Sequence, residues 1–265
     1  MKKILTVIAL VSMLTVFSFA GIEWTSTITT EGKKKSDKNL VTAHIFAQKG
    51  NLKQVFEEVS REDAFRMKKG YWLFKADEEN IYIVNEEEKS YTELNLDSLL
   101  QMTGFVGQLV KIQILDHTID SETLGKENIA GYNCNHLKLT TDYTMKMKIA
   151  FIKKTMKIHE VKEIWATPNL KGFNEVNATF LKKDFKTGFP ELDELIKKQM
   201  EKEGNVGFPL KTITHTTQYS KKGKVKSDTT ATMEVTGIKI KDFPKSFFDI
   251  PEGYQKAEAK QGIFK

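Results

Sequence analysis

From Gly21 onward, apolar and polar residues alternate one by one over most of the chain, the period-2 signature of half-buried strands. Ile22, Trp24 and Ile28 fall on one side, with Glu23, Thr25, Thr27 and Thr29 on the other. After a charged tip at residues 32–38, Val41, Ala43, Ile45 and Ala47 restart an apolar side, so the two segments are predicted to pair as an antiparallel hairpin. Gly50-Asn51 turns the chain into a mixed strand over residues 52–59. Gly70-Tyr71-Trp72-Leu73-Phe74 and Ile81-Tyr82-Ile83-Val84 are apolar on both sides. That pattern predicts strands covered from both directions, one cover being a helix packed on the sheet.

Helical spacing occurs twice. Leu96, Leu99, Leu100, Thr103, Val106, Leu109 and Val110 recur at three and four across residues 95–112, with Asn95 or Asp97 as N-cap. Gly104 and Gly107 each cost about 1 kcal/mol relative to alanine in a helix interior, which predicts a break into two short helices. The second pattern is firmer. Pro190 suits a first helical position, Glu191, Asp193 and Glu194 complement the N-terminal dipole, and Lys197, Lys198 and Lys202 the C-terminal end; Gly204 stops it.

Alternation returns elsewhere. Strands are predicted from Gly131 to Thr141, through Met145, Met147, Ile149 and Phe151, from Met156 to Trp165, and as a hairpin of residues 210–219 and 225–240 around Lys221 to Lys224. Residues 180–185 read as a short strand or loop, Pro244 and Pro251 close the sheet, and residues 255–265 form a frayed tail. With no internal repeat and no long linker, residues 21–254 are expected to be one domain on a single antiparallel sheet.

The first twenty residues stand apart. Lys2 and Lys3, an apolar run from Ile4 to Phe17, and Ser18-Phe19-Ala20 read as a secretory signal cleaved after Ala20, with no cysteine at the cut to carry a lipid. The protein is therefore expected in a periplasm or outside the cell, without a permanent membrane span. The formal charge of +6 includes the two leader lysines and leaves +4 for the rest. The remaining lysines form short clusters at expected turns, a solvated rim rather than a nucleic-acid track, with an anionic membrane surface left open. Cys134, the single cysteine, has no intramolecular disulfide partner and reads as a small buried residue, a reactive thiol being the alternative.

Chemistry is sparse. There is no nucleophile elbow, phosphate-binding glycine loop, zinc-protease helix or paired Cys-x-x-Cys. His44, His117, His136, His159 and His215 lie one to a segment, whereas a metal site needs three or four converging ligands. No catalytic residue, metal ligand or cofactor is nominated. The apolar residues are more telling: Met102, Met145, Met147, Met156, Met200 and Met233 join Trp24, Trp72 and Trp165 on predicted strand and helix faces. Methionine adapts to irregular partners. Two readings follow, a methionine-tolerant core or an apolar concavity able to take an acyl chain.

Four segments resemble a known group. Ile129-Ala130-Gly131-Tyr132-Asn133-Cys134, Glu163-Ile164-Trp165-Ala166-Thr167, Gly207-Phe208-Pro209-Leu210-Lys211 and Phe248-Asp249-Ile250-Pro251-Glu252-Gly253-Tyr254 come in the order seen in bacterial envelope proteins of the LolA/LolB-like superfamily. They are similar to an uncharacterised branch of it, a domain of unknown function. The resemblance implies a mainly β (α+β) fold, a single curved antiparallel half-barrel with a few helices plugging its concave face. Members with known roles bind lipoprotein acyl chains, lipids or protein partners. The pieces themselves are fold-keeping: Pro168 ends a strand, and Pro251-Glu252-Gly253 is expected to turn the chain so that Phe248, Ile250 and Tyr254 cap the sheet edge.

The first functional expectation is a soluble, non-enzymatic carrier. Its apolar cavity would be lined by Leu99, Leu100, Met102, Phe105 and Val106 on a helical plug and by Trp72, Met145, Met147 and Met233 on the sheet, with a lipid, acyl chain or lipoprotein as ligand. The alternative is an interaction or sensor module with a packed interior and an envelope protein as partner. An enzyme would need His136, His159 and an acidic residue gathered around one pocket.

Overall fold

The structure, a computed structural model, describes residues 21–32, 38–60, 70–78, 80–95, 110–149, 152–170, 189–203 and 206–257. Its first six strands are β1 (Ile22–Gly32), β2 (Asn39–Gln48), β3 (Asn51–Val59), β4 (Gly70–Phe74), β5 (Asn80–Asn85) and β6 (Ser90–Asn95). Three long strands follow, β7 (Val110–Ile129), β8 (Tyr132–Ile149) and β9 (Ile152–Thr167), then helix α1 (Pro190–Glu203). The chain ends with β10 (Phe208–Ser220), β11 (Val225–Ile240), a 3-10 turn at Lys245–Phe248 and β12 (Gln255–Lys256).

All twelve strands belong to one sheet, in the order β12-β6-β5-β4-β3-β2-β1-β11-β10-β9-β8-β7. The chain meanders outward from β1 to β6, resumes at the opposite edge with β7, and returns strand by strand until β11 closes on β1. Each pairing is antiparallel except the short parallel contact of β12 with β6. The protein is thus mainly β, with a single α-helix among the described residues where several were expected.

Several expectations change. Residues 113–130 carried no assignment, yet they make most of the longest strand. The helical stripe across residues 95–112 begins on the last residue of β6 and ends inside β7; residues 96–109 lie outside the described residues. β8 runs unbroken from Tyr132 to Ile149, where two strands were expected. Residues 255–256, assigned to the frayed tail, pair with Ser90 and Tyr91 on β6. The hairpin turn after Ile129 agrees with the sequence: Ala130 and Gly131 both have positive φ, and Asn128 Oδ1 accepts the Gly131 N–H. Two such residues make a turn whose twist matches that of the flanking strands.

Register decides which residues share a side, because directly opposed residues project together and alternate residues project apart. One row runs Ile83–Trp72–Gln54–Ile45–Trp24 across β5 to β1. Another runs Val41–Ile28–Met233–Thr212–Ile164–Leu137 from β2 to β8. Trp24 and Ile28 are four apart on β1, so both rows lie on one side. α1 rests on that side: Gln199 Nε2 donates to Thr141 Oγ1 at 3.1 Å and to Glu160 Oε1 at 3.4 Å, and Lys162 pairs with Glu203.

The opposite side of β2 to β6 has its own cover. Tyr71, Leu73, Tyr82 and Val84 are buried against Phe243 and Phe248, with Phe46, Val55, Phe247, Ile250 and Tyr254 around them. On this side the apolarity of β4 and β5 is thus explained by the C-terminal segment, with no α-helix among the described residues covering it. Phe248, Ile250 and Tyr254 cover this side instead of capping the edge, and β12 takes the edge. Lys53 Nζ lies over the Tyr71 ring at 3.8 Å, and burial holds its ammonium below the usual lysine range, partly countered by Glu86.

Burial pushes the phenols of Tyr71, Tyr82 and Tyr143 up to about 12. A raised tyrosine keeps its proton in the folded state after the unfolded chain has lost it, so its stabilising contribution is intact below the ordinary value of about 10. Stability is expected to fall as pH rises from there towards 12. A spectrophotometric titration should show these three phenols ionising late in the native protein and at the ordinary pH in denaturant; one normal titration for all tyrosines would contradict the burial.

Candidate functional site

The helix side of the sheet holds the described residues expected to contact a ligand. Trp72 lies in the first row and Met233 in the second; Met145 opposes Ile114 and Met156, and Met147 opposes Ile112. Odd-numbered positions from Leu137 to Met147 share one side of β8, so all four project from the α1 side. They do not meet at one point. Six strands separate β4 from β8, about 34 Å measured along the sheet at about 4.8 Å per strand. Leu99, Leu100, Met102, Phe105 and Val106 lie outside the described residues.

Cover on this side is uneven. α1 packs on β7 and β8, with Leu195 buried beneath it. Towards β1 and β11 the apolar surface opens: Ile28 is 42% exposed, and Met233, opposite it, is half-buried. Further along, Phe56 and Trp72 meet edge to face at 5.5 Å, both half-buried. Trp24 is held by Phe208 at 5.3 Å, also edge to face, within the main core cluster that includes Ile45, Trp165, Leu210 and Val235. Apolar surface with aromatic and methionine contacts can hold a chain of methylenes.

A cleft of about 620 Å³ opens where the start of α1 faces the ends of β7, β8 and β9. Ile112, Met147 and Phe189 supply apolar surface, and Lys111, Lys146, Lys148, Lys153 and Lys154 also border it, with Glu191 the one carboxylate. The sequence marked Met147; it gave no reason to gather these lysines, because their proximity depends on the register of three strands.

His136 and His159 do not converge. His136 is 7% exposed, its Nδ1 2.9 Å from Glu127 Oε1 and its Nε2 2.8 Å from Glu163 Oε2, with its ring stacked on Trp165 at 4.0 Å. Both contacts are hydrogen bonds when the ring carries both protons, since a neutral imidazole turns one acceptor nitrogen towards a carboxylate. His159 binds Asp142 Oδ1 at 2.8 Å. It sits six residues along β9 from Trp165, the partner of His136, about 20 Å along the strand. His215 meets Asp228, Thr230 and Thr217, and His117 Nε2 accepts from Lys198 Nζ at 3.0 Å. Among the described residues no three His, Cys, Asp or Glu side chains come together as metal ligands. Cys134 is buried, which pushes its thiol up and keeps it unreactive. No described helix is long and apolar enough to cross a membrane.

Comparison with solved structures finds distant likenesses. The lipoprotein LppX of Mycobacterium tuberculosis is 10% identical over 81% of this chain and 84% of its own, at a TM-score of 0.30. A putative outer membrane lipoprotein-sorting protein domain from Vibrio parahaemolyticus is 8% identical over 87% and 89%, at 0.28. A DUF1329 family protein from Desulfovibrio piger is 10% identical over 90% and 93%, at 0.17. No curated protein matches. The sequence itself is matched from residue 42 to residue 254, that is, from β2 through the turn before β12, and on that match the chain belongs to the DUF4412 family, a domain of unknown function.

Proposed function

We propose that this protein is a non-enzymatic carrier working outside the cytoplasm, with the α1 side of the sheet curved into a half-barrel around an acyl chain or lipid. In this reading residues 1–20 are removed as a signal peptide, and helical segments plug the concave side until the ligand displaces them. Trp72, Met145, Met147 and Met233 line the sheet side of the cavity, and Leu99, Leu100, Met102, Phe105 and Val106 the plug. The supporting observation is the apolar surface shared by Trp72, Ile28 and Met233 on the helix side. The other side is closed over β2 to β6 by the protein's own C-terminal residues.

The test is lipid recovery. Native mass spectrometry and solvent extraction of the purified protein should yield a bound lipid, and a fluorescent fatty acid should compete for the same site. Met233→Ala removes about 1.5 kcal/mol or more of apolar contact at full burial, so the probe should bind about tenfold more weakly. No recovered lipid together with no probe binding would overturn the carrier reading and favour a protein-interaction module with a packed interior.

A further inference from the structure

On the side away from α1, the ends of β7, β8 and β9 carry an array of lysines. Lys111, Lys148 and Lys153 are direct cross-strand partners. Lys146 follows in the next row of that side, between Gln113 and Thr155, and Lys157 in the row beyond, opposite Thr144. All five are exposed. Strand spacing and rise place them within roughly 10 by 14 Å. Like charges directly opposed destabilise a strand pair, and here three stand in one row.

Nothing among the described residues neutralises them. Lys38, Lys75, Lys162, Lys198, Lys211, Lys239 and Lys256 each have a carboxylate partner, and none of the five does. The first carboxylate on the same side of β8 is Asp142, and His159 holds it. The reverse side of the same strand ends carries Ile112, Ile114, Met145, Met147 and Met156, with Lys154 opposite Met147.

We propose that this strand end docks on an anionic bilayer surface, the five lysines facing lipid phosphates and carboxylates. The array contains lysine and no arginine, that is, point charges without the planar fork that reads a single carboxylate or phosphate. Protein interfaces are depleted in lysine and anchored by aromatic residues and arginine; this patch has no arginine, and its one aromatic neighbour is Tyr219, at its margin opposite Lys157. A plane of diffuse negative charge is what evenly spaced lysines on a rigid sheet match, and each adds attraction nearly independently. The proposal stands whether or not the protein holds a lipid.

Co-sedimentation with vesicles tests it. The purified protein should bind vesicles of phosphatidylcholine mixed with phosphatidylglycerol, leave pure phosphatidylcholine in solution, and release as salt shortens the screening length. The triple variant Lys111→Thr, Lys148→Thr, Lys153→Thr should partition about a hundredfold less, about fivefold per lysine. Its melting temperature should equal or exceed the parent's, since an opposed row of like charges is gone. Lys221→Thr, Lys222→Thr, Lys224→Thr, with the same loss of charge at another turn, should change partition less than twofold. The proposal is overturned if the parent ignores anionic vesicles, if both triple variants lose binding equally, or if soluble polyglutamate binds where vesicles do not.

Discussion

Replacing Gly207 with alanine is expected to lower the melting temperature far more than the same change at Gly223. Gly207 enters β10 with φ of +102°, and a Cβ there would lie 2.3 Å from the Thr167 carbonyl oxygen, 2.6 Å from its carbon and 2.8 Å from Pro168 Cα. All three atoms are backbone at the end of β9, so no side chain can rotate away. The obstructed place is also a pairing site, since Phe208 opposes Thr167 and leads to Leu210, which is buried in the main core. Steric and dihedral strain together are expected to cost about 3 kcal/mol or more. At about 2–4 °C per kcal/mol for a chain of this size, the shift is about 6–12 °C. Gly223→Ala supplies the contrast: φ is +79°, nothing lies within 4 Å of the added carbon, and only the roughly 1–2 kcal/mol dihedral cost remains. Equal melting temperatures for the two variants would show that the β9 end yields to Gly207.

The same region shows how much was legible in the sequence. Glu163 to Thr167 and Gly207 to Lys211 read as fold-keeping pieces, and they meet as the paired ends of β9 and β10 around a register shift at Leu210. Strands with a buried side announced themselves by alternation, and α1 by its proline, charges and apolar stripe. β7 did not. Residues 120–128 of that strand are exposed, so no apolar period marks them, and only pairing with β8 makes them a strand. Charges such as Asp120, Glu122, Lys126 and Glu127 suit an edge that must not recruit another chain. The stripe over residues 95–112 borrowed Val110 from the start of this strand, where Val110, Ile112 and Ile114 alternate. For the candidate site, the side of Trp72, Met145, Met147 and Met233 follows from alternation within each strand. Their separation by whole strands does not, because strand order was not legible: β11 closes on β1 and places β8 far from β4.

Leu73→Ala should be the most destabilising large-to-small change on the side away from α1. Leu73 and Val84 are 0% exposed, and Tyr71 beside them is 2% exposed, under a lid of Phe243, Phe247 and Phe248. The lid is not held by apolar contact alone: the Phe243 N–H donates to Gln48 Oε1 at 2.7 Å, and the Lys241 N–H to the Gly21 carbonyl at 2.9 Å. Those bonds fix where the segment leaves β11, so it cannot simply settle into a cavity left beneath it. Poor collapse puts the cost high in the usual range, about 3–5 kcal/mol for a buried leucine. Phe243→Ala acts on the same contact from above. Combined with Leu73→Ala, it should cost less than the two changes summed, by about 1 kcal/mol or more, because each alone already opens the shared interface. Chemical denaturation of the two single variants and the double variant measures this coupling. Strict additivity would mean that the C-terminal segment and β4 are stabilised separately, and that the two-sided apolarity of β4 has another cause.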